Sequence, residues 1–159
     1  MNADCLVLGA GMAGLTAANL LTSLGRSVLV LDKGRGPGGR MATRRIATQV
    51  LDHGAQYFTA RHHDFQQQVA RWEKAGWVNA WFSKDGVPCY RAEGGMNSLA
   101  KRMAEPLDVR TGVTVTRVVP DGDGWQVHTE AGESWTASTV LLTAPAVQSL
   151  ALLGNCRSR

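Results

Sequence analysis

The sequence predicts an α/β fold built around parallel strands, on three observations. A short apolar run, Asp4–Leu8 (DCLVL), leads into a glycine-rich loop and then a stretch with apolar residues at helical spacing, Leu15, Ala18 and Leu21. A second apolar run, Ser27–Leu31 (SVLVL), follows and delivers an acid, Asp32. Later the pattern changes to short strand-like segments joined by Gly-containing turns. Strand, helix and strand in that order form a βαβ unit, so the two strands should be parallel neighbours with a right-handed crossover.

Each element has a local reason. The first helix runs over 15–24, and Gly25 is placed to stop it. Thr43–Thr48 and then Asp52-His53-Gly54-Ala55-Gln56-Tyr57-Phe58 follow the second glycine-rich loop. Asp64 is a candidate N-cap for a helix to about Ala75, with Phe65, Val69 and Trp72 on one face. Val78–Phe82 and Val87–Arg91 read as strands around Lys84-Asp85-Gly86. Gly94-Gly95-Met96-Asn97-Ser98 opens a helix over 99–104. Val113–Val119, Trp125–Thr129 and Ser134–Ala137 form an antiparallel β-meander, with turns at Asp121–Gly124 and Glu130–Gly132. Thr139–Thr143 is a last strand, Pro145 breaks it, and Ala146–Leu153 starts a helix that Gly154 stops.

Composition narrows the function. The chain is 44% hydrophobic and 19% charged, as an ordinary globular domain is. No apolar run reaches the roughly 18–20 residues of a membrane-spanning helix. The N-terminus lacks a basic start, and glycines interrupt its apolar stretch, so it does not read as a signal peptide. Cys5, Cys89 and Cys156 are widely spaced with no CxxC, which fits a reducing cytoplasm, and Cys5 reads as a small buried residue. Net charge is +4, and Arg35, Arg40, Arg44 and Arg45 fall close together. That cluster follows a glycine-rich loop and contains Gly38-Gly39, so a small phosphorylated ligand explains it better than nucleic acid.

The glycines carry the chemistry. Gly9, Gly11 and Gly14 form GxGxxG after a strand and at the opening of a helix, with Asp32 ending the next strand. That context marks a Rossmann dinucleotide site. Gly9 permits the tight turn, Gly11 lets a pyrophosphate approach the amides at the helix N-terminus, and Gly14 lets helix and strand pack closely. Asp32 is placed to accept ribose hydroxyls, and its charge repels a 2′-phosphate. The plainer reading is a glycine-rich turn beside a surface acid; strand, helix and acid in agreement argue against it. The fingerprint alone leaves NAD and FAD both open.

The stretch LDKGRGPGGR (Leu31–Arg40) goes further: Asp32, five residues, then Gly38-Gly39-Arg40 resembles the signature of the flavin-containing amine oxidase superfamily. Asp32 stands where Glu is usual there. LDHGAQYFTAR (Leu51–Arg61) resembles the segment beside the isoalloxazine, GGMNSLAKRMAE (Gly94–Glu105) a GGM-plus-helix element, GVTVTRVVPDGDGW (Gly112–Trp125) the strand whose backbone touches adenine at Val115, and VLLTAP (Val140–Pro145) the strand end returning to the cofactor. GAQYFTAR is similar to the renalase-like branch.

The resemblance implies an FAD-type Rossmann domain with an inserted antiparallel β-meander and part of a substrate domain. Residues 1–50 and 94–150 would form the FAD domain, 51–93 the start of the substrate side, and 151–159 an atypical, truncated tail. Cofactor contacts would come from Gly9, Gly11, Met12, Ala13, Gly14, Asp32, Lys33, Gly38, Gly39, Arg40, Met41, Gly54, Ala55, Gln56, Val115, Thr143 and Ala144. Gln56, Tyr57 and Phe58 are flavin-proximal candidates, and no catalytic residue is assigned. Tyr57 and Phe58 read equally as strand packing.

His53 reads as a backbone-bonding residue, His62 and His63 as solvent-facing, and the tryptophans as packing. Arg44 and Arg45 read either as phosphate-facing or as exposed strand residues. No HExxH or Cys pair suggests a metal, and Ser98 lacks a GxSxG context. The implied function is oxidation of an amine-like or dihydronicotinamide small molecule, with FAD as cofactor and O2 as acceptor. Neither nucleic acid nor membrane is an expected partner. A non-catalytic nucleotide-binding remnant and an NAD-dependent dehydrogenase remain as alternatives. Relatives of this family continue for about as many residues again, so an exposed apolar surface and self-association are expected.

Overall fold

The computed structural model describes residues 2–154. Cys156 and the rest of the tail, 155–159, lie outside the described residues. The chain divides into two compact units: residues up to Gly39 together with those from Met103 onward, and Arg40–Arg102. The units meet along the chain at 39/40 and at 102/103. Inside the second unit, Met96 N–H donates to Asp52 Oδ1 and Asn97 N–H to Thr43 Oγ1, which tie the 43–52 segment to the 96–97 segment.

The first unit is the Rossmann-type α/β body. Its strands are β1 (Asn2–Leu8), β2 (Val28–Asp32), β8 (Asp108–Thr111), β9 (Val115–Asp121), β10 (Gly124–Thr129) and β11 (Ser134–Leu142), in the sheet order β8-β2-β1-β11-β10-β9. β8, β2, β1 and β11 run parallel, and β10 and β9 continue the sheet antiparallel. β1 sits centrally and is buried on both faces. Leu6 and Leu8 join Leu29, Leu31, Val118, Val127, Trp135 and Ala137 in one core cluster, with Leu152 and Leu153 packed against it. Cys5 and Val7 belong to the opposite face, and burial pushes the Cys5 thiol up, as for an unreactive core cysteine.

Helix α1 (Met12–Ser23) buries Gly14, Leu15 and Ala18. It ends as the sequence indicates: Gly25 N–H donates to the Thr22 carbonyl at 2.9 Å and Arg26 N–H to the Leu21 carbonyl at 3.0 Å, with Gly25 at φ +77°. This is a Schellman closure, which favours glycine because of the left-handed turn. Asn19 Nδ2 on α1 donates to the Met103 carbonyl at 2.8 Å. At the start of β1, hydrogen bonds from the Ser27 backbone and then its hydroxyl hold the Asp4 carboxyl below the usual carboxylate range.

Two sequence expectations change here. The last meander strand and the last apolar strand are one nine-residue strand, β11, which pairs with β10 through 134–137 and with β1 along most of its length. The meander is therefore an extension of the main sheet. The strand β8 was not anticipated; its residues DVRT are too short and polar to signal a strand, and pairing to β2 decides it.

The second unit holds a hairpin, β3 (Thr43–Ile46) with β4 (Gln49–Asp52), and a three-stranded antiparallel sheet in the order β5-β7-β6, from β5 (Phe58–Thr59), β6 (Val78–Lys84) and β7 (Val87–Ala92). Asp85 and Gly86, both at positive φ, close β6 to β7 in the way a two-residue hairpin loop requires. Helix α2 (His63–Lys74) buries Val69 and Trp72. Its cap is His62 rather than Asp64: the His62 ring nitrogen accepts from Asp64 N–H at 3.4 Å, while Asp64 lies in the first turn, where the helix dipole favours an acid. Helix α3 (Asn97–Ala104) completes this unit up to Arg102, and α4 (Ala146–Leu153) belongs to the first unit. Among the described residues no helix is long and apolar enough to cross a membrane.

Candidate functional site

The parallel register places four loop starts at one edge of the first unit's sheet. Leu8 pairs with both Leu31 and Leu142, and Asp32 pairs with Thr111, so the chain leaves β1, β2, β11 and β8 at one level. β1 feeds α1 and β2 on one side while β11 occupies its other side, so strand order reverses at β1. In open α/β sheets, ligand crevices lie outside the carboxyl ends of the strands at that switch point.

The three glycines of the first loop divide into two kinds. Gly14 is demanded by the fold: a Cβ there would lie 1.9 Å from the Gly9 carbonyl oxygen. Gly9 is similar, at φ +117° with a built Cβ 2.5 Å from Thr143 Oγ1. Gly11 is different. Its φ and ψ of −82° and −178° suit any residue, and a Cβ there meets nothing within 4 Å. The fold does not need glycine at that position, whereas a ligand lying over the backbone does. Gly11 is also the N-cap of α1 and makes no side-chain cap bond, and the first turn carries no acid. The first-turn amides have no partner within the helix and lie at the positive end of its dipole, a fit for an anionic phosphate group.

Asp32 does more than the sequence indicated. Its Oδ2 accepts from Ala10 N–H at 2.6 Å and its Oδ1 from Gly34 N–H at 2.7 Å. The carboxylate ties the first glycine loop to the second and keeps lone pairs for further donors. The Asp32 carbonyl accepts from Val113 N–H, and the Gly34 carbonyl from Gly112 N–H at 2.7 Å, which joins the segment after β8 to the same knot. Gly38 N–H donates to the Ala10 carbonyl at 2.8 Å, and a Cβ on Gly39 would stand 3.6 Å from Gly11 Cα. The two glycine loops are thus direct neighbours.

Thr143 braces this arrangement from β11. Its N–H donates to the Leu8 carbonyl at 3.0 Å, and its hydroxyl lies within bonding distance of the Leu8 and Gly9 carbonyls. The Ala144 carbonyl accepts from Ser149 Oγ at 3.1 Å. Val115 opens β9, pairs with Thr129 and packs on the core cluster. Met12 is half-buried, Ala13 is exposed, and exposed Lys33 reaches to 3.4 Å from Gln148 Oε1.

The remaining sequence-indicated residues lie in the second unit. Arg40 is exposed and Met41 buried. Ala55 N–H donates to the Arg40 carbonyl at 2.9 Å, so the GGR segment and the DHGAQ segment are zipped together by backbone. Gln56 is exposed. Tyr57 packs edge-on to Phe82 at 5.1 Å, and Phe58 contacts Phe65, Trp72 and Tyr90 with centroids 5.7–6.4 Å apart, which supports the packing reading of both. His53 is exposed and its N–H donates to the Ala42 carbonyl. Arg44 and Arg45 are exposed strand residues, and His62 and His63 are exposed. Trp72 is buried, as is Trp135 in the first unit; Trp81 is half exposed under Arg91, 5.4 Å from its ring centroid.

Sequence reasoning missed Asp52, Thr43 and the loop-tying role of Asp32. Their partners lie far along the chain, so no local spacing signals them.

Two family descriptions match this chain, an NAD(P)-binding Rossmann-like domain over residues 7–72 and a flavin-containing amine oxidoreductase over 73–150. Mouse renalase (Mus musculus) is 29% identical over 168 residues, covering 94% of this chain and 49% of that protein. Putrescine oxidase of Kocuria rosea is 29% identical over 132 residues, covering 83% of this chain and 27% of its own length. The chain therefore spans half or less of these relatives. A solved putrescine oxidase bound to putrescine superposes with a TM-score of 0.75 at 17% identity, covering 91% of this chain and 58% of that one. A fatty acid isomerase from P. acnes that produces CLA superposes at 0.76 with 12% identity, covering 96% and 61%.

Proposed function

Because this chain belongs to the flavin-containing amine oxidoreductase superfamily, we propose that it binds FAD and forms the cofactor-holding part of a flavin-dependent oxidase. The observation that carries the reading is the contrast between Gly11 and Gly14: a Cβ at 14 would meet backbone, whereas one at 11 would meet no protein atom, leaving that space open to a ligand. The neighbouring residues supply what an ADP group needs. Amides at Gly11, Met12 and Ala13 receive the pyrophosphate at the head of α1. Asp32 accepts from the ribose with the lone pairs left by Ala10 and Gly34. Gly38 and Gly39 let the second loop lie against the first, Lys33 and Arg40 are proposed cationic contacts, and Val115 offers backbone to the adenine. Thr143 and Ala144 hold the return strand at the glycine loop. Met41, Gly54, Ala55 and Gln56 are proposed contacts from the second unit.

FAD held by these residues would supply two-electron redox chemistry, suited to oxidation of an amine-like or dihydronicotinamide substrate with O2 as acceptor. The protein's part is binding, orientation and electrostatics. Extraction of the purified protein and identification of the released nucleotide tests this: FAD is expected, whereas NAD or no nucleotide overturns it.

Asp32→Ala should weaken FAD binding by about 1.5–3 kcal/mol, the value of a charge-assisted hydrogen bond, and should also loosen the loop by freeing the Ala10 and Gly34 amides. Asp32→Asn keeps one acceptor and should fall between. Titration of FAD into the apo protein reads the order; equal affinities in all three sink the assignment.

We also propose self-association. Val147 and Leu150 share a face of α4 and are 80% and 66% exposed, and Leu20 on α1 and Leu24 at its C-cap are 60% and 67% exposed. Contiguous exposed apolar surface marks contact sites, whereas apolar residues scattered singly do not. Sedimentation should show concentration-dependent association that Val147→Lys with Leu150→Lys reduces; a monomer at all concentrations contradicts it.

A further inference from the structure

On the reading that the chain holds FAD, we infer that Asp52 is a positioning residue. A single carboxylate oxygen latches three segments of the second unit, two of which carry the proposed contacts Arg40, Met41, Gly54 and Ala55. Asp52 ends β4. Its Oδ1 accepts from the Thr43 hydroxyl at 2.5 Å and from Met96 N–H at 2.9 Å. Thr43 Oγ1 accepts in turn from Asn97 N–H at 3.0 Å. The hydroxyl proton goes to the carboxylate, and the hydroxyl lone pair takes the amide.

Met96 and Asn97 lie at the head of α3, where amides have no partner within the helix. The hairpin therefore supplies partners, from more than forty residues away in sequence, for two amides at the head of α3. A negative group at this end is also favoured by the helix dipole.

Backbone bonds complete the latch. His53 and Gly54 N–H groups both donate to the Ala42 carbonyl at 3.2 Å, and Ala55 N–H donates to Arg40. Two glycines let the segments come this close. A Cβ on Gly54 would lie 2.2 Å from the Arg40 carbonyl oxygen, and one on Gly95, at φ +101°, would lie 2.6 Å from Thr43 Cγ2. The stretches Arg40–Thr43, Asp52–Ala55 and Gly95–Asn97 thus form one hydrogen-bonded body with Asp52 at its centre. Asp52 acts on the cofactor through the backbone it fixes.

The test uses the 159-residue chain with Asp52→Ala, Asp52→Asn, Thr43→Val and Thr43→Ser. Three quantities are read at a temperature where circular dichroism shows each variant folded. They are the Kd for FAD from flavin fluorescence, the induced visible dichroism of bound flavin, and amide exchange at Met96 and Asn97. Asp52→Ala and Thr43→Val should each weaken FAD binding about tenfold or more, as for a lost charge-assisted bond. Both should alter the visible dichroism and speed the exchange. Asp52→Asn and Thr43→Ser, which keep the acceptor oxygen and the hydroxyl, should restore binding to within about threefold.

If Asp52→Ala fails to fold, the near-isosteric Thr43→Val decides. Faster exchange with wild-type affinity and dichroism makes the latch structural only and overturns the positioning role. Unchanged exchange overturns the latch itself. A wild-type chain that takes no FAD overturns the cofactor reading, and amide exchange then still upholds or overturns the latch.

Discussion

Gly11→Val should give a folded chain that cannot hold its flavin. The valine Cβ enters space that no protein atom occupies, and the backbone at Gly11 is extended, a conformation that β-branched residues favour. The apo protein should therefore melt within a few degrees of wild type. The ligand suffers instead. Two branches over the head of α1 keep a pyrophosphate from the amides, and losing two charge-assisted hydrogen bonds at about 1.5–3 kcal/mol each weakens binding by more than about 100-fold. The measurement pairs a thermal melt of the apo chain with flavin absorbance after purification. Flavin at wild-type occupancy would show that the loop holds something else.

Gly14→Ala should do the reverse and damage the fold itself. Its Cβ would sit 1.9 Å from the Gly9 carbonyl oxygen and 3.0 Å from Thr143 Oγ1. The first obstacle is backbone, so no rotamer change relieves it; α1 must lift from β1 or the loop must open. Overpacking a well-filled site costs about 1–3 kcal/mol and occasionally more, and contact with rigid backbone puts this case at the upper end. For a chain of this size, about 3 kcal/mol lowers the melting temperature by roughly 6–12 °C. A melt of the apo protein within about 2 °C of wild type would contradict the close approach. Together the two variants separate glycine required by packing from glycine required by a ligand, although both belong to one six-residue motif.

The first forty residues were legible as sequence because their signals are local. An apolar strand, a glycine loop, a periodic helix with Gly25 behind it and a second strand ending on Asp32 each depend on neighbours a few residues away. The same is true of the Asp85-Gly86 hairpin and of α4 bounded by Pro145 and Gly154. Resemblance then carried the cofactor expectation from the Leu31–Arg40 stretch.

What the sequence by itself determined is therefore the βαβ unit, its glycine fingerprint and the chemistry that a head of helix beside an acid invites. Tertiary structure alone decided that β8 is a strand, that β11 is one strand and not two, and that His62 caps α2. It decided too that Asp32 ties two loops and that Asp52 and Thr43 cap α3. It also divided the glycines, since Gly11 and Gly14 look alike in sequence and differ only in what faces them. The physical reason is common to all of these. Hydrogen-bond partners and steric neighbours are set by chain segments far apart in sequence, such as β1 against β11 or β4 against α3, and a spacing rule over a few residues carries no record of them.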